Sequence, residues 1–117
     1  MAATPRNLVQ IFADNAAEAP DREALSFFQN ESLVSIDWST VWSRILATAS
    51  GLKELGFQKG MKLAIWSTNR PEWVASDVAA LLLGGASVPI YATLAPTEIR
   101  YILADASARI LVVENPE

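Results

Sequence analysis

The sequence predicts an α/β fold: an N-terminal helix, a hairpin and a second helix, followed by a βαβαβ unit built on a parallel sheet. Three observations predict it. Apolar runs of strand length at 62–66, 87–91 and 109–113 alternate with helical segments at 71–83 and 96–106. The connections between them are short and marked by Gly, Pro and polar residues. The last run, Ile110-Leu111-Val112-Val113, is apolar on both faces, the pattern of a mid-sheet strand covered by helices on each side. Right-handed crossovers between such units make the three strands parallel.

The first element is a helix over 7–17, with Leu8, Ile11 and Phe12 at helical spacing and Asn7 placed to cap a free helix N–H. Pro20-Asp21 ends it. Residues 24–28 and 33–37 read as two short strands joined by the polar turn Gln29-Asn30-Glu31-Ser32. An amphipathic helix over 39–55 carries Trp38, Val41, Trp42, Ile45, Ala49 and Leu52 along one stripe, and Gly56 marks its end. After the turn Gln58-Lys59-Gly60 comes the strand 62–66. The helix 71–83 starts on Pro71, whose missing N–H costs nothing in a first turn, with Thr68 or Asn69 available for capping. Gly84-Gly85 stops it. Pro89 gives the strand 87–91 an edge position, a bulge or a strand end. In the helix 96–106, Ile99, Ile102, Leu103 and Ala106 share a face. The strand 109–113 closes the unit.

Composition bounds what the chain can do. Its 117 residues suffice for one compact unit, and the 51% apolar content is high for a free-standing domain of that size, which points to a missing packing partner. The net charge is −4, with basic residues scattered, so no nucleic-acid surface is expected. Cysteine and histidine are both absent, which removes disulfides, thiolate metal sites and the usual near-neutral proton shuttle. Met1-Ala-Ala-Thr-Pro-Arg has no basic segment leading into an apolar one, so it does not read as a signal peptide. The stretch 73–91 is interrupted by Asp77, Gly84, Gly85 and Pro89 and reads as a buried helix plus strand, so no transmembrane segment is expected.

Catalytic constellations are wanting. No Gly-rich phosphate loop is present, and Gly84-Gly85 follow a helix as a C-cap would. Asp14 with Glu18, and Glu98 with Asp105, read as solvated helix faces. Asp77, inside an apolar helix, reads first as part of an exposed stripe and second as a partner for Arg70. The four tryptophans, Trp38, Trp42, Trp66 and Trp73, read as packing residues before pocket residues. Ligands of open α/β sheets sit beyond the carboxyl ends of the strands. That leaves Asn69, Arg70, Tyr91 and Thr93 as the candidate ligand contacts, with turn-forming roles as the commoner use of such residues. No catalytic or metal-binding residue is expected.

The order of motifs then resembles a known family. Leu52-Lys-Glu-Leu-Gly56, Lys59-Gly60, the strand 62–66, Asn69-Arg-Pro-Glu-Trp73 and Gly84-Gly-Ala-Ser-Val-Pro-Ile-Tyr91 are similar to the N-terminal part of the adenylate-forming (AMP-binding) superfamily, which includes the AMP-forming acyl-CoA synthetases. Asp21-Arg-Glu-Ala-Leu25 and Tyr101-Ile-Leu-Ala-Asp-Ala106 fit as well, and Val88-Pro-Ile-Tyr-Ala-Thr93 before Pro96 looks most like the long-chain fatty-acid–CoA ligase branch. Met61 stands where the family usually carries Asp. The resemblance implies that a full-length enzyme uses ATP, Mg2+ and CoA. A fatty-acid carboxylate attacks the α-phosphate of ATP, and the CoA thiol then displaces AMP. The family's Ser/Thr/Gly-rich phosphate loop, its Tyr-Gly-x-Thr-Glu motif, its ribose-binding Asp and its C-terminal Lys have no counterparts here, so no catalytic residue carries over. The implied reading is one partial domain, 1–117, cut from an N-terminal domain. It is expected to be inactive alone, to bind no cofactor tightly, and to need the remainder of the synthetase chain as partner. Homo-oligomers through exposed apolar surface, and a cytoplasmic location that is membrane-peripheral at full length, go with it. The alternatives are a stand-alone, non-catalytic α/β interaction module of the same descent, and a small flavodoxin-like binder, for which the chain has too few βα units.

Overall fold

The computed structural model describes residues 6–117; the Met1–Pro5 part of the leader reading lies outside them. The elements run α1 (Leu8–Glu18), β1 (Glu23–Gln29), β2 (Ser32–Asp37), α2 (Trp38–Glu54), β3 (Lys62–Trp66), α3 (Pro71–Leu82), β4 (Ala86–Ile90), α4 (Pro96–Ala106) and β5 (Ile110–Val113). Every expected element is present, with ends shifted by a residue or so, as fraying termini allow.

Local chemistry explains the boundaries. Asn7 and Gln10 form a reciprocal cap at α1: the Gln10 N–H donates to Asn7 Oδ1 at 2.9 Å and the Asn7 N–H to Gln10 Oε1 at 3.1 Å. The hairpin turns at Asn30 and Glu31, both at positive φ, the geometry a two-residue loop needs to match strand twist. Asp37 caps α2 by accepting the Thr40 N–H at 2.8 Å. No side-chain cap of α3 by Thr68 or Asn69 forms: Arg70 occupies the N-cap position without a side-chain cap bond, and Pro71 at the first helical position leaves one fewer free N–H to satisfy. Helices α2 and α3 end alike. Gly56 and Gly84 take left-handed backbone, and the next N–H reaches back, Phe57 to the Leu52 carbonyl and Gly85 to that of Ala80.

The hairpin β1–β2 is its own two-stranded antiparallel sheet. The other three strands form a parallel sheet in the order β4-β3-β5. Chain order and strand order differ because the second crossover passes back over β3. Two crossovers of the same hand running in opposite directions put their helices on opposite faces. The packing agrees. Leu63 and Ile65 of β3, with Ile110 and Val112 of β5, pack in the cluster that holds α2 and α3. Ala64 and Ile90 pack with Ile99 of α4 in a second cluster.

One expectation needs correction. The run 110–113 does not lie mid-sheet: β5 is an edge strand, and only alternate residues, Ile110 and Val112, turn toward the α2–α3 cluster. Leu111 and Val113 are 38% and 43% exposed. The strand covered on both faces is β3, where Leu63, Ala64 and Ile65 are fully buried. The edge position that Pro89 implies for β4 is observed: with no N–H, Pro89 suits an outer strand. Met61 does not disturb its turn, since its Sδ accepts the Gln58 N–H at 3.2 Å and its side chain packs against the core. Among the described residues no helix is long and apolar enough to cross a membrane.

Candidate functional site

Parallel pairing brings the carboxyl ends of β3, β4 and β5 to one edge, so three stretches distant in sequence meet there: 67–70, 91–95 and the residues from Glu114. A solvent-open cleft of about 470 Å³ lies between the first two. Asn69 and Tyr91 line it, joined by Ser67, Thr68, Trp73 and Ile90. The cleft thus has an aromatic and apolar wall and a polar rim, the composition of a small-molecule site. Tyr91 is 80% exposed, so its ring lies free at the mouth.

The structure divides the four candidates. Asn69 and Tyr91 share the cleft. Arg70 points to the other side of its loop, where its Nε donates to Glu72 Oε2 at 2.9 Å and its Nη1 to Glu114 Oε1 at 3.1 Å. There it lines a second groove, of about 670 Å³, with Arg44, Phe27, Glu72 and Glu114. Thr93 is exposed and lines neither cavity.

Glu114 and Trp73 are the residues that sequence reasoning passed over as site members. The pairing of Trp66 with Val113 sets Glu114 beside Ser67 and Thr68. Its carboxylate accepts the Thr68 hydroxyl at 2.9 Å, the Thr68 N–H at 3.3 Å and Arg70. The Thr68 hydroxyl and N–H, and then the Arg70 charge, hold the Glu114 carboxyl below the ordinary glutamate range. Glu72 is also lowered, chiefly by its own backbone N–H and then by the Arg70 bond. Glu72 in turn is the main reason the Arg70 guanidinium is raised. A polar strand-end residue after an apolar run was the available signal for Glu114, but its partners depend on the strand order.

The remaining polar candidates have structural roles. Asp77 is half-buried, not on an exposed stripe, and accepts a short hydrogen bond from the Ser87 hydroxyl, tying α3 to β4. Asp14 pairs with Arg6 at 2.6 Å, and Glu98 accepts the Ala95 N–H at 2.9 Å at the start of α4. Trp38 meets Phe12 edge to face at 5.4 Å between ring centroids.

The site does not fit a magnesium–triphosphate group. Among the described residues no group of three or more Asp, Glu, His or Cys is placed to hold a metal ion. Arg70, the cation at the strand ends, already has a carboxylate on each side. A further apolar hollow of about 560 Å³ lies between α4 and β5, lined by Trp66, Ile99, Leu103 and Leu111.

Comparison with known proteins agrees with this geometry. Residues 12–117 match the family described as AMP-binding enzyme. The chain is 32% identical over 112 residues to long-chain-fatty-acid–CoA ligase ACSBG1 of Bos taurus, covering 96% of this chain and 15% of that protein. It is 40% identical over 73 residues to long-chain-fatty-acid–CoA ligase FadD15 of Mycobacterium bovis, covering 62% of this chain and 12% of that protein. Among solved structures it resembles the N-terminal subdomain of NpsA from Klebsiella oxytoca bound to 3-hydroxyanthranilyl-AMSN, with TM-score 0.83 and 27% identity over 93% of this chain and 27% of that one. The N-terminal domain of FACL13 from Mycobacterium tuberculosis, at 24% identity and TM-score 0.85, shares the fold. The chain therefore spans about 12 to 15% of the length of these two ligases.

Proposed function

The chain belongs to the family of AMP-binding enzymes, and from that premise we propose that it forms the opening α/β layer of a long-chain fatty-acid–CoA ligase. In this reading residues 1–117 are one partial domain. It supplies sheet and loops to a larger body that carries the ATP, Mg2+, CoA and acyl-chain contacts. The observation that carries the reading is that relatives matched over 95% or more of this chain are long-chain ligases by name. A cytoplasmic, membrane-peripheral location belongs to the same proposal, since a long acyl substrate partitions into bilayers.

Within the chain, Asn69 and Tyr91 are the proposed ligand contacts, because they share a strand-end cleft that Trp73 also lines. Arg70 is proposed as a loop anchor and Thr93 as surface. In this reading the segment alone is inactive, the activating groups belonging to the larger body. The reading of a stand-alone interaction module draws on the apolar hollow at Trp66, Ile99, Leu103 and Leu111, which a partner could fill.

A chimera separates the two. Residues 12–117 replace the matching segment of the Bos taurus ligase, and palmitoyl-CoA formation is measured. Retained activity is the expected result. A folded chimera that binds ATP but forms no acyl-CoA would favour the module.

A further inference from the structure

The 67–70 loop is a wall between two cavities. Thr68 and Asn69 line both the 470 Å³ cleft on the β4 side and the 670 Å³ groove on the hairpin side. The wall has no helix or strand of its own, so its backbone groups depend on partners from elsewhere. Among the described residues no carbonyl accepts the Thr68 N–H. Its acceptor is Glu114, a residue 46 positions later.

That one carboxylate gathers three donors from the loop: the Thr68 N–H at 3.3 Å, the Thr68 hydroxyl at 2.9 Å and Arg70 Nη1 at 3.1 Å. Arg70 is fixed in turn by Glu72 in the first turn of α3. The end of β5, the wall and the start of α3 are thereby joined across the carboxyl edge of the sheet. We propose that Glu114 is a positioning residue, a clasp that sets the wall between the two cavities and opens when its carboxylate is neutralised. The proposal does not depend on the ligase reading, because it concerns the shape of the cavities and not what fills them.

An exposed ion pair ordinarily contributes little, since water and salt screen it. This cluster differs in one respect. Two of the three donors belong to one threonine, whose N–H has no other acceptor among the described residues. The charged groups around it are Arg70 and Glu72 from the α3 end and Arg44 from α2, which lines the same groove. The hairpin contributes the uncharged Ser26 and Gln29. Glu72 repels Glu114, but Arg70 lies between them and binds both. The sign of the pH effect follows. The folded carboxyl titrates below the unfolded one, chiefly because Thr68 donates to its charged form. The clasp is therefore closed above the ordinary glutamate range and is lost as pH falls through the depressed value.

The test is amide hydrogen exchange and NMR titration of the 117-residue chain. Protection of the Thr68 amide, normalised for intrinsic exchange and compared with Ala64 in β3, is expected to fall roughly twofold to fivefold in Glu114→Ala and less in Glu114→Gln. The Trp73 indole N–H is expected to shift with it. In the unsubstituted chain the Glu114 carboxyl and the Thr68 amide should titrate together below the ordinary glutamate range, and Glu114→Gln should abolish that titration at Thr68. The wild-type titration decides the matter even if Glu114→Ala does not fold. A Thr68 amide that is unprotected in the unsubstituted chain, or one that does not respond to Glu114 titration, would overturn the proposal.

Discussion

Adjacent glycines need not have the same reason to be glycine. Gly84 and Gly85 read together as a helix stop, and Gly84 is one: it takes positive φ after α3. Gly85 does not. A Cβ there would come within 2.6 Å of the Met61 carbonyl oxygen and of the Phe57 ring, so Gly85 is needed for close approach. Backbone at that distance cannot swing aside. Gly85→Ala is expected to cost about 1–3 kcal/mol, the usual range for overpacking, read as a lowered urea midpoint with unchanged slope. No change in midpoint would show that Phe57 and Met61 yield freely. The positive φ of Gly84 was legible because a left-handed residue after a helix is a local need. The crowding at Gly85 was not, because it depends on where the turn after α2 returns. Ser107 makes the converse point. It ends α4 in left-handed backbone without glycine's help, and nothing in its residue type announced that.

At the scale of elements, periodicity was the reliable signal and strand order the unreliable one. The stripe along α2 was legible because burial on a helix follows sequence spacing, and Val41, Ile45, Ala49 and Leu52 are the residues buried. Ile45 is fully buried and its neighbour Leu46 is 45% exposed. Ile45→Ala should therefore cost about 2–5 kcal/mol through lost burial and a residual cavity, whereas Leu46→Ala should stay within about 0.5 kcal/mol. Similar losses at the two positions in chemical denaturation would mean that α2 does not pack by this face. For β5, the run 110–113 carried no information about which strands flank it. Four consecutive apolar residues suit a covered strand equally well when the cover belongs to another part of a larger body. The same ambiguity hid Glu114, whose partners Thr68 and Arg70 follow from the pairing of β5 with β3. It also scattered the four candidate ligand contacts, since spacing along the chain could not say that Asn69 borders both cavities while Arg70 lines the hairpin-side groove and not the cleft.

Across the whole molecule, the surplus of apolar residues noted in the composition has a location. One edge of β5 is unpaired, and Leu111 beside it opens onto the hollow formed with Trp66, Ile99 and Leu103. An uncharged edge strand with an apolar flank is a template for association. The chain is expected to self-associate in sedimentation velocity at rising concentration, and Leu111→Lys to shift it toward monomer without loss of helix signal. A chain monomeric at every concentration would contradict this. The central claim is that these elements are the first layer of an AMP-binding enzyme and lack the groups that activate a carboxylate. Its most direct test is ATP–pyrophosphate exchange by the 117-residue chain with Mg2+ and a long-chain fatty acid. The account predicts no exchange above the protein-free rate; fatty-acid-dependent exchange by this chain would contradict it.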